Sequence, residues 1–349
     1  MNRSAVLYCL VMWLSTSCAI VWGQSPAGET DMRIGIIGLD TSHAVAFTKE
    51  FNGTDAPSEL QGMRVVAAYP QGSADIQSSV QRVPEYTRTV QELGVRIVDS
   101  IDQLVEQVDA VLLESNDGRP HLEQALPVFR ARKPMFIDKP LAGSLTDAVA
   151  IFLAAEHFQS PVFSSSSLRY LPGAPEARQG AVGDVLGCDA FSPCSLEETH
   201  PDLYWYGIHG VELLFTVMGT GCQQVRRVAE PGTDLVVGVW DQGRIGTFRG
   251  IRPPAHHDYG GTVFGSTGTQ YLGKFAGYGP LVVQIGLFFR SGQPPVSKDE
   301  TLEIFAFMTA ADVSKQQGGA AVSIESVLAE ARAAAVPRLQ ALGVELGQP

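Results

Sequence analysis

The sequence predicts an α/β domain built on a parallel sheet, followed by an α+β domain whose sheet is largely antiparallel. Between residues 33 and 137, short apolar runs alternate with helix-patterned segments, the mark of parallel strands covered on both faces. After residue 186 the runs become short, alternating and Gly-punctuated, as in hairpins. The 349 residues suffice for two domains at roughly 100–200 residues each.

In chain order, 33–38 (Arg-Ile-Gly-Ile-Ile-Gly) reads as a buried strand and 42–51 as a helix entered through the capping pair Thr41-Ser42. Strand 64–69, helix 75–93 and a short strand at 96–98 follow. Ser100 caps a helix over 101–107. Then come strand 110–114, helix 120–131 and strand 134–137. Pro140 forces Lys139 into an extended conformation, so Lys139 closes this last strand, and 141–143 opens the next helix. This first domain, 32–155, is Rossmann-like. The second, 156–345, opens with strand 162–165, helix 172–179 and strand 186–191. Residues 205–218 form an amphipathic helix, with Ile208, Val211, Leu214, Phe215 and Met218 at helical spacing. Five short strands between 225 and 272 turn at Asp241-Gln242-Gly243 and Ser266-Thr267-Gly268. Helices at 281–290, 301–317 and 324–334 end the chain, the last interrupted near Pro337.

A net charge of −12 argues against nucleic acid or an anionic membrane surface as the partner. Residues 1–23 read as a signal peptide: Arg3 is the positive start, 5–21 is mostly apolar, and Val21-Trp22-Gly23 is the cleavage site. Asn2-Arg3-Ser4 is not a twin-arginine pair, so the general secretory route and a periplasmic or extracellular location are expected. An acylated Cys18 and a retained anchor are the alternatives; after cleavage no membrane association is expected. Cleavage leaves Cys188, Cys194 and Cys222, an odd set that has no zinc spacing and makes no disulfide framework, though one disulfide with Cys222 is conceivable.

The polar residues gather at the carboxyl ends of the parallel strands, where open α/β sheets bind ligands. The turn Gly38-Leu39-Asp40-Thr41-Ser42-His43 keeps only the first glycine of a dinucleotide fingerprint, and Asp40 brings charge where a pyrophosphate would approach. Thr41, Ser42 and His43 at the helix start still suit an anion, and equally an N-cap with a buried histidine. Strand 110–114 runs into Ser115 and Asn116, which line the same crevice or serve as turn residues. Asp138 and Lys139 close the next strand. In the second domain, Tyr206 precedes His209, with Glu212 one turn further on. Neither an acid nor an arginine after the second strand separates NAD from NADP.

The strand-turn at Gly38, the Asp138-Lys139-Pro140 strand end and the His209-x-x-Glu212 helix before Met218-Gly219 together resemble the glucose–fructose oxidoreductase / inositol dehydrogenase (Gfo/Idh/MocA) family. The resemblance spans about residues 32 to 318. It implies NAD or NADP at the sheet's carboxyl edge, held at Gly38, Thr41, Ser42, His43, Ser115, Asn116 and Asp138. It also implies a sugar or polyol beneath the second domain's sheet, with Arg169 and Tyr206 as expected contacts. Lys139 matches the catalytic lysine and His209 the histidine. Asp138 stands where the family usually has glutamate, and Trp205 where its dehydrogenases often carry aspartate.

The implied chemistry has His209 taking a proton from a sugar hydroxyl as hydride leaves the carbon, with Lys139 hydrogen-bonding the same oxygen. Export favours a tightly held cofactor and a net redox-neutral reaction, since no free nicotinamide pool is evident outside the cytoplasm. Two other classes stand beside it. One is a cofactor-free or metal-assisted lyase or hydrolase using Glu197, His200, Asp202, His209, His256 and His257. The other is a non-catalytic sugar-binding protein. An open sheet face implies a homo-oligomer.

Overall fold

A computed structural model describes residues 31–256 and 258–346; the expected signal peptide, 1–23, lies outside them. The first layer alternates as the sequence predicts: β1 (Met32–Ile37), α1 (Ser42–Asn52), β2 (Met63–Tyr69), α2 (Gln77–Glu92), β3 (Arg96–Ile97), α3 (Ile101–Val105), β4 (Ala110–Leu113), α4 (His121–Arg130), β5 (Met135–Ile137), α5 (Leu145–Phe158) and β6 (Val162–Ser164). All six strands are parallel, in the order β3-β2-β1-β4-β5-β6. Ile34, Ile36, Leu112 and Phe136 are fully buried on one face, and Ile37, Val111, Leu113 and Ile137 on the other. Both faces are therefore covered, the condition for an all-parallel sheet.

Three expectations change here. The strand near 162, assigned to the second domain, pairs with β5 and completes the first sheet. Lys139 lies two residues past the end of β5 and joins Pro140 by a cis peptide bond. α5 starts at Leu145, not at 141, because the Ser144 side chain accepts the Asp147 N–H at 3.0 Å and caps it there.

The second layer holds α6 (Ala174–Arg178), β7 (Val185–Pro193), α7 (Asp202–Trp205), α8 (Ile208–Met218), β8 (Cys222–Glu230), β9 (Thr233–Trp240), β10 (Ile245–Ile251), β11 (Gly260–Gly265), β12 (Thr269–Leu272), α9 (Gly279–Ser291), α10 (Lys298–Gln316), β13 (Val322–Ser323) and α11 (Ile324–Ala341). Its sheet runs β12-β11-β7-β10-β9-β8-β13, antiparallel except for the β7–β10 pair. The hairpins turn at both glycine sites read from sequence. The amphipathic helix at 205–218 is instead two helices, broken at Tyr206-Gly207, and every residue of α8 is buried. α11 runs through Pro337, which lies on an exposed turn, rather than stopping near it.

α9 returns to the first domain: Leu281, Val282, Ile285 and Phe288 pack with Phe136 and Phe163 in one apolar cluster. Cys188, Cys194 and Cys222 are free and buried. No helix among the described residues is long and apolar enough to cross a membrane.

Candidate active site

A cavity of about 360 Å³ opens between the carboxyl edge of the parallel sheet and the start of α8. Thr41, Ser42, His43 and Asn116 line one side, with Ser78 and Arg82 from α2; Lys139 and His209 lie within it. Trp205, Tyr206, Glu197 and Tyr259 line the opposite side. Seven of the residues read from sequence thus meet in one space: Thr41, Ser42, His43, Asn116, Lys139, Tyr206 and His209. No sequence pattern marks Arg82, Tyr259 or Tyr278, which join them from elements far apart in the chain.

Local chemistry fixes each group. Thr41 N-caps α1 by accepting the His43 N–H, and the first turn of α1 itself carries no acid, which leaves the remaining helix-start N–H groups free of a competing side chain of that turn. His43 Nδ1 lies 2.7 Å from the Asp138 carboxylate, and its ring stacks on Phe47 and meets Tyr278 edge-on. Burial pushes the Asp138 carboxyl up, but the charges of His43 and Lys139 prevail and hold it low. Lys139 is buried, and its ammonium makes no hydrogen bond among the described residues. His209 Nδ1 lies 2.7 Å from Ser166 Oγ, which also accepts the Leu168 N–H. Burial, then the neighbouring charges of Lys139 and His43, drive the His209 imidazole well below its ordinary range, so the neutral ring prevails at neutral pH. Tyr206 crosses the mouth to Tyr259, hydroxyl to hydroxyl, at 2.9 Å.

Other expected site residues stand behind the lining. Gly38 has φ +89°, and a side chain there would run into the Ser115 backbone, so it serves the close approach of two strand ends. The Ser115 hydroxyl donates to Gln124, and Asp138 is fully buried. Arg169, expected to contact substrate, is instead enclosed: its guanidinium donates to Glu212 at 2.8 Å and to Glu300 at 2.7 Å. Glu212 therefore serves Arg169 and Ser165, not His209. Of the acid and histidine residues of the metal-assisted reading, Glu197 and His209 line this cavity, whereas His200 bonds Asp117, Asp202 pairs with Arg227 and Lys315, and His257 lies outside the described residues.

Asp40 does not carry its charge into the cavity. Its carboxylate is buried, accepting the Asn116 N–H at 2.9 Å and the Ser79 hydroxyl at 2.6 Å. Burial raises its pKa, and those hydrogen bonds pull the other way. The Asp40 oxygens are thus engaged by donors of the protein itself, and the turn keeps Ser42, with Ser78 and Arg82 beside it, for an anion.

Residues 32–165 match the family model GFO_IDH_MocA, described as an oxidoreductase family with an NAD-binding Rossmann fold. The N-terminal domain belongs to this family. Likeness to solved structures extends past the matched segment. A probable dehydrogenase from Thermotoga maritima superposes with a TM-score of 0.69 at 19% identity, over 85% of this chain and 100% of that one. Myo-inositol 2-dehydrogenase from Lactobacillus plantarum gives 0.68 at 17%, covering 84% and 99%. Scyllo-inositol dehydrogenase from Lactobacillus casei, solved with NAD(H) and scyllo-inositol, gives 0.66 at 14%, again over 84% and 99%. At these identities the likeness shows the fold. No curated protein matches the chain. The residues present suit the family's cofactor: an acid-free helix start and a cationic Arg82 share one cavity with Lys139, and the Asp40 carboxylate is buried behind the lining on the Asn116 N–H and the Ser79 hydroxyl.

Proposed function

We propose that this protein is an exported NAD(P)-dependent oxidoreductase acting on a sugar or polyol, in a net redox-neutral reaction with a tightly held cofactor. The observation that carries the reading is the meeting of Lys139 and His209 in the cavity that also receives the N-terminus of α1. The helix start with Thr41 and Ser42, together with Ser78, Arg82 and Asn116, would hold the dinucleotide. Bound there, it supplies the hydride-accepting chemistry the side chains lack.

The protein's own groups then have defined tasks. With Nδ1–H donating to Ser166, His209 leaves Nε2 bare and, being neutral, ready to take a hydroxyl proton. The Lys139 ammonium, with no hydrogen-bond partner among the described residues, donates to the same oxygen and steadies its developing charge. Trp205 and Tyr206 offer aromatic faces suited to the apolar side of a sugar ring. The signal peptide read at 1–23 supports retention of the cofactor between turnovers. The outer face of the second sheet, with Val228 and Ile245 more than half exposed, supports a homo-oligomer, which light scattering checks.

The test is native mass spectrometry on mature protein from its export compartment, followed by denaturation to identify what is released. NAD or NADP among the released molecules is the expected result. Protein that carries neither and ignores both when they are added overturns the oxidoreductase reading. Turnover of added NAD into free NADH, matched to sugar oxidised, overturns the redox-neutral part alone.

A further inference from the structure

Behind the cavity wall lies a group of side chains that the proposed reaction does not use. Glu114, at the end of β4, is fully buried, and both of its carboxylate oxygens lack a hydrogen-bond partner. Asp138, at the end of β5, is equally buried, and its Oδ1 is also unpartnered. His43, from the first turn of α1, completes the group: one ligand atom from each of the three lies within 4.8 Å of the others.

Buried polar atoms in folded proteins almost always find a partner, and three orphaned carboxylate oxygens side by side call for a group that accepts their electrons. Two carboxylates this close in a space sealed from water repel each other strongly, and the charges of His43 and Lys139 nearby leave three of their oxygens without a hydrogen-bond partner. Burial and the Asp138 charge do push the Glu114 carboxyl well above its usual range. A protonated Glu114 would still need an acceptor for its O–H, and none is bonded to it.

We infer that Glu114, Asp138 and His43 bind a first-row divalent cation of the zinc or manganese type. One imidazole nitrogen and two carboxylates form a mixed N/O donor set; imidazole favours zinc and its neighbours, and carboxylate favours manganese. The three ligands come from three different elements, each held in place: α1 by its Thr41 cap, β4 and β5 by the parallel ladder. Loading replaces the His43–Asp138 hydrogen bond with two coordination bonds and releases any proton held there. The site adjoins Lys139, so the cation would add positive field at the reacting end of the cavity without touching the residues assigned to the hydroxyl proton.

The test is metal analysis of the full chain as purified, then titration of chelator-treated protein with Zn²⁺ and, separately, Mn²⁺ by calorimetry. The expected result is about one ion per chain, with binding weakened roughly 100-fold or more in Glu114→Gln, a loss at least as large as that for an outer-sphere partner. Asp138→Asn provides a second variant should Glu114→Gln not fold. In Mn²⁺-loaded protein, electron spin-echo spectra should show modulation from a histidine nitrogen, which His43→Gln abolishes. Wild-type protein that neither carries nor takes up either ion overturns the inference, as does unweakened binding in a folded ligand variant. A protonated-carboxyl infrared band that persists in ion-saturated protein and vanishes in Glu114→Gln also overturns it, because Glu114 then holds a proton instead. These readouts do not depend on NAD or on turnover, so they stand or fall apart from the proposed reaction.

Discussion

Ser166 Oγ lies 2.7 Å from His209 Nδ1 and also accepts the Leu168 N–H, so the hydroxyl that orients the imidazole is itself fixed by the chain. Ser166→Ala removes that orientation and leaves the ring otherwise buried. Turnover should fall about tenfold or more, the share of acid–base catalysis that depends on correct placement, with little change in KM. Steady-state kinetics of the variant checks this; an unchanged kcat would show that Ser166 only fills space.

The depressed His209 pKa carries a pH signature. The unfolded chain takes up a proton at this residue near pH 6.5, whereas the folded chain resists until well below that. Its contribution is therefore fully present above about pH 6.5 and is lost as pH falls from there towards the folded pKa. Thermal unfolding of wild type against His209→Gln, followed from neutral to mildly acidic pH, should show the wild type losing more stability. The acid limb of the kcat profile should likewise fall below pH 6.5. Parallel stability curves would mean that His209 titrates normally.

Lys139 donates from a buried position with no competing partner, so its removal should affect the chemical step more than assembly of the site. Lys139→Met should lower kcat by about 10²–10⁴. Native mass spectrometry should find the variant's dinucleotide content close to wild type, because the helix start, Ser78 and Arg82 remain. A variant that loses the cofactor instead would place Lys139 among the groups that hold it.

Apolar periodicity with its glycine punctuation revealed the alternating elements and both hairpin turns, although Lys139 stands two residues beyond the strand it was expected to close. It could not show that 162–164 belongs to the first sheet, because three residues after a helix do not encode which strand they pair with. The return of α9 to the first domain was hidden for a similar reason: Leu281 and Phe288 look apolar in any core. The break at Tyr206-Gly207 was masked by apolar residues on both sides of it. Arg169 was misread because a lone arginine in sequence looks like a ligand group, and its partners Glu212 and Glu300 lie 43 and 131 residues away. The Glu114, Asp138 and His43 cluster left no local spacing at all, since it is assembled only when three elements meet.

Gly38 offers a test of the turn that begins the cavity. Its φ of +89° disfavours any side chain, and an added methyl would strike the Ser115 backbone, which is part of a strand end and cannot rotate away. Gly38→Ala should cost at least about 2 kcal/mol in stability. Chemical denaturation measures it. A near-neutral result would mean that the β1 and β4 turns can separate, and the cavity floor would then be softer than its packing implies.

Arg169 joins Glu212 of α8 to Glu300 of α10, and Arg178 also reaches Glu300. Replacing Arg169 with methionine keeps much of the volume but strands the Glu212 carboxylate in a buried site. Glu300 retains only the half-exposed Arg178. Breaking a buried pair by removing one partner costs about 3–5 kcal/mol, because the remaining charge has neither water nor a counter-ion. The urea midpoint of Arg169→Met should therefore drop sharply with an unchanged m-value. Arg169→Lys should recover only part of the loss, since a single ammonium cannot reproduce the fork that serves two carboxylates at once. A substrate contact would behave in the opposite way, with KM raised and the midpoint unmoved. That outcome would return Arg169 to the role read from the sequence; the sharp midpoint shift assigns it to the joint between the two helices.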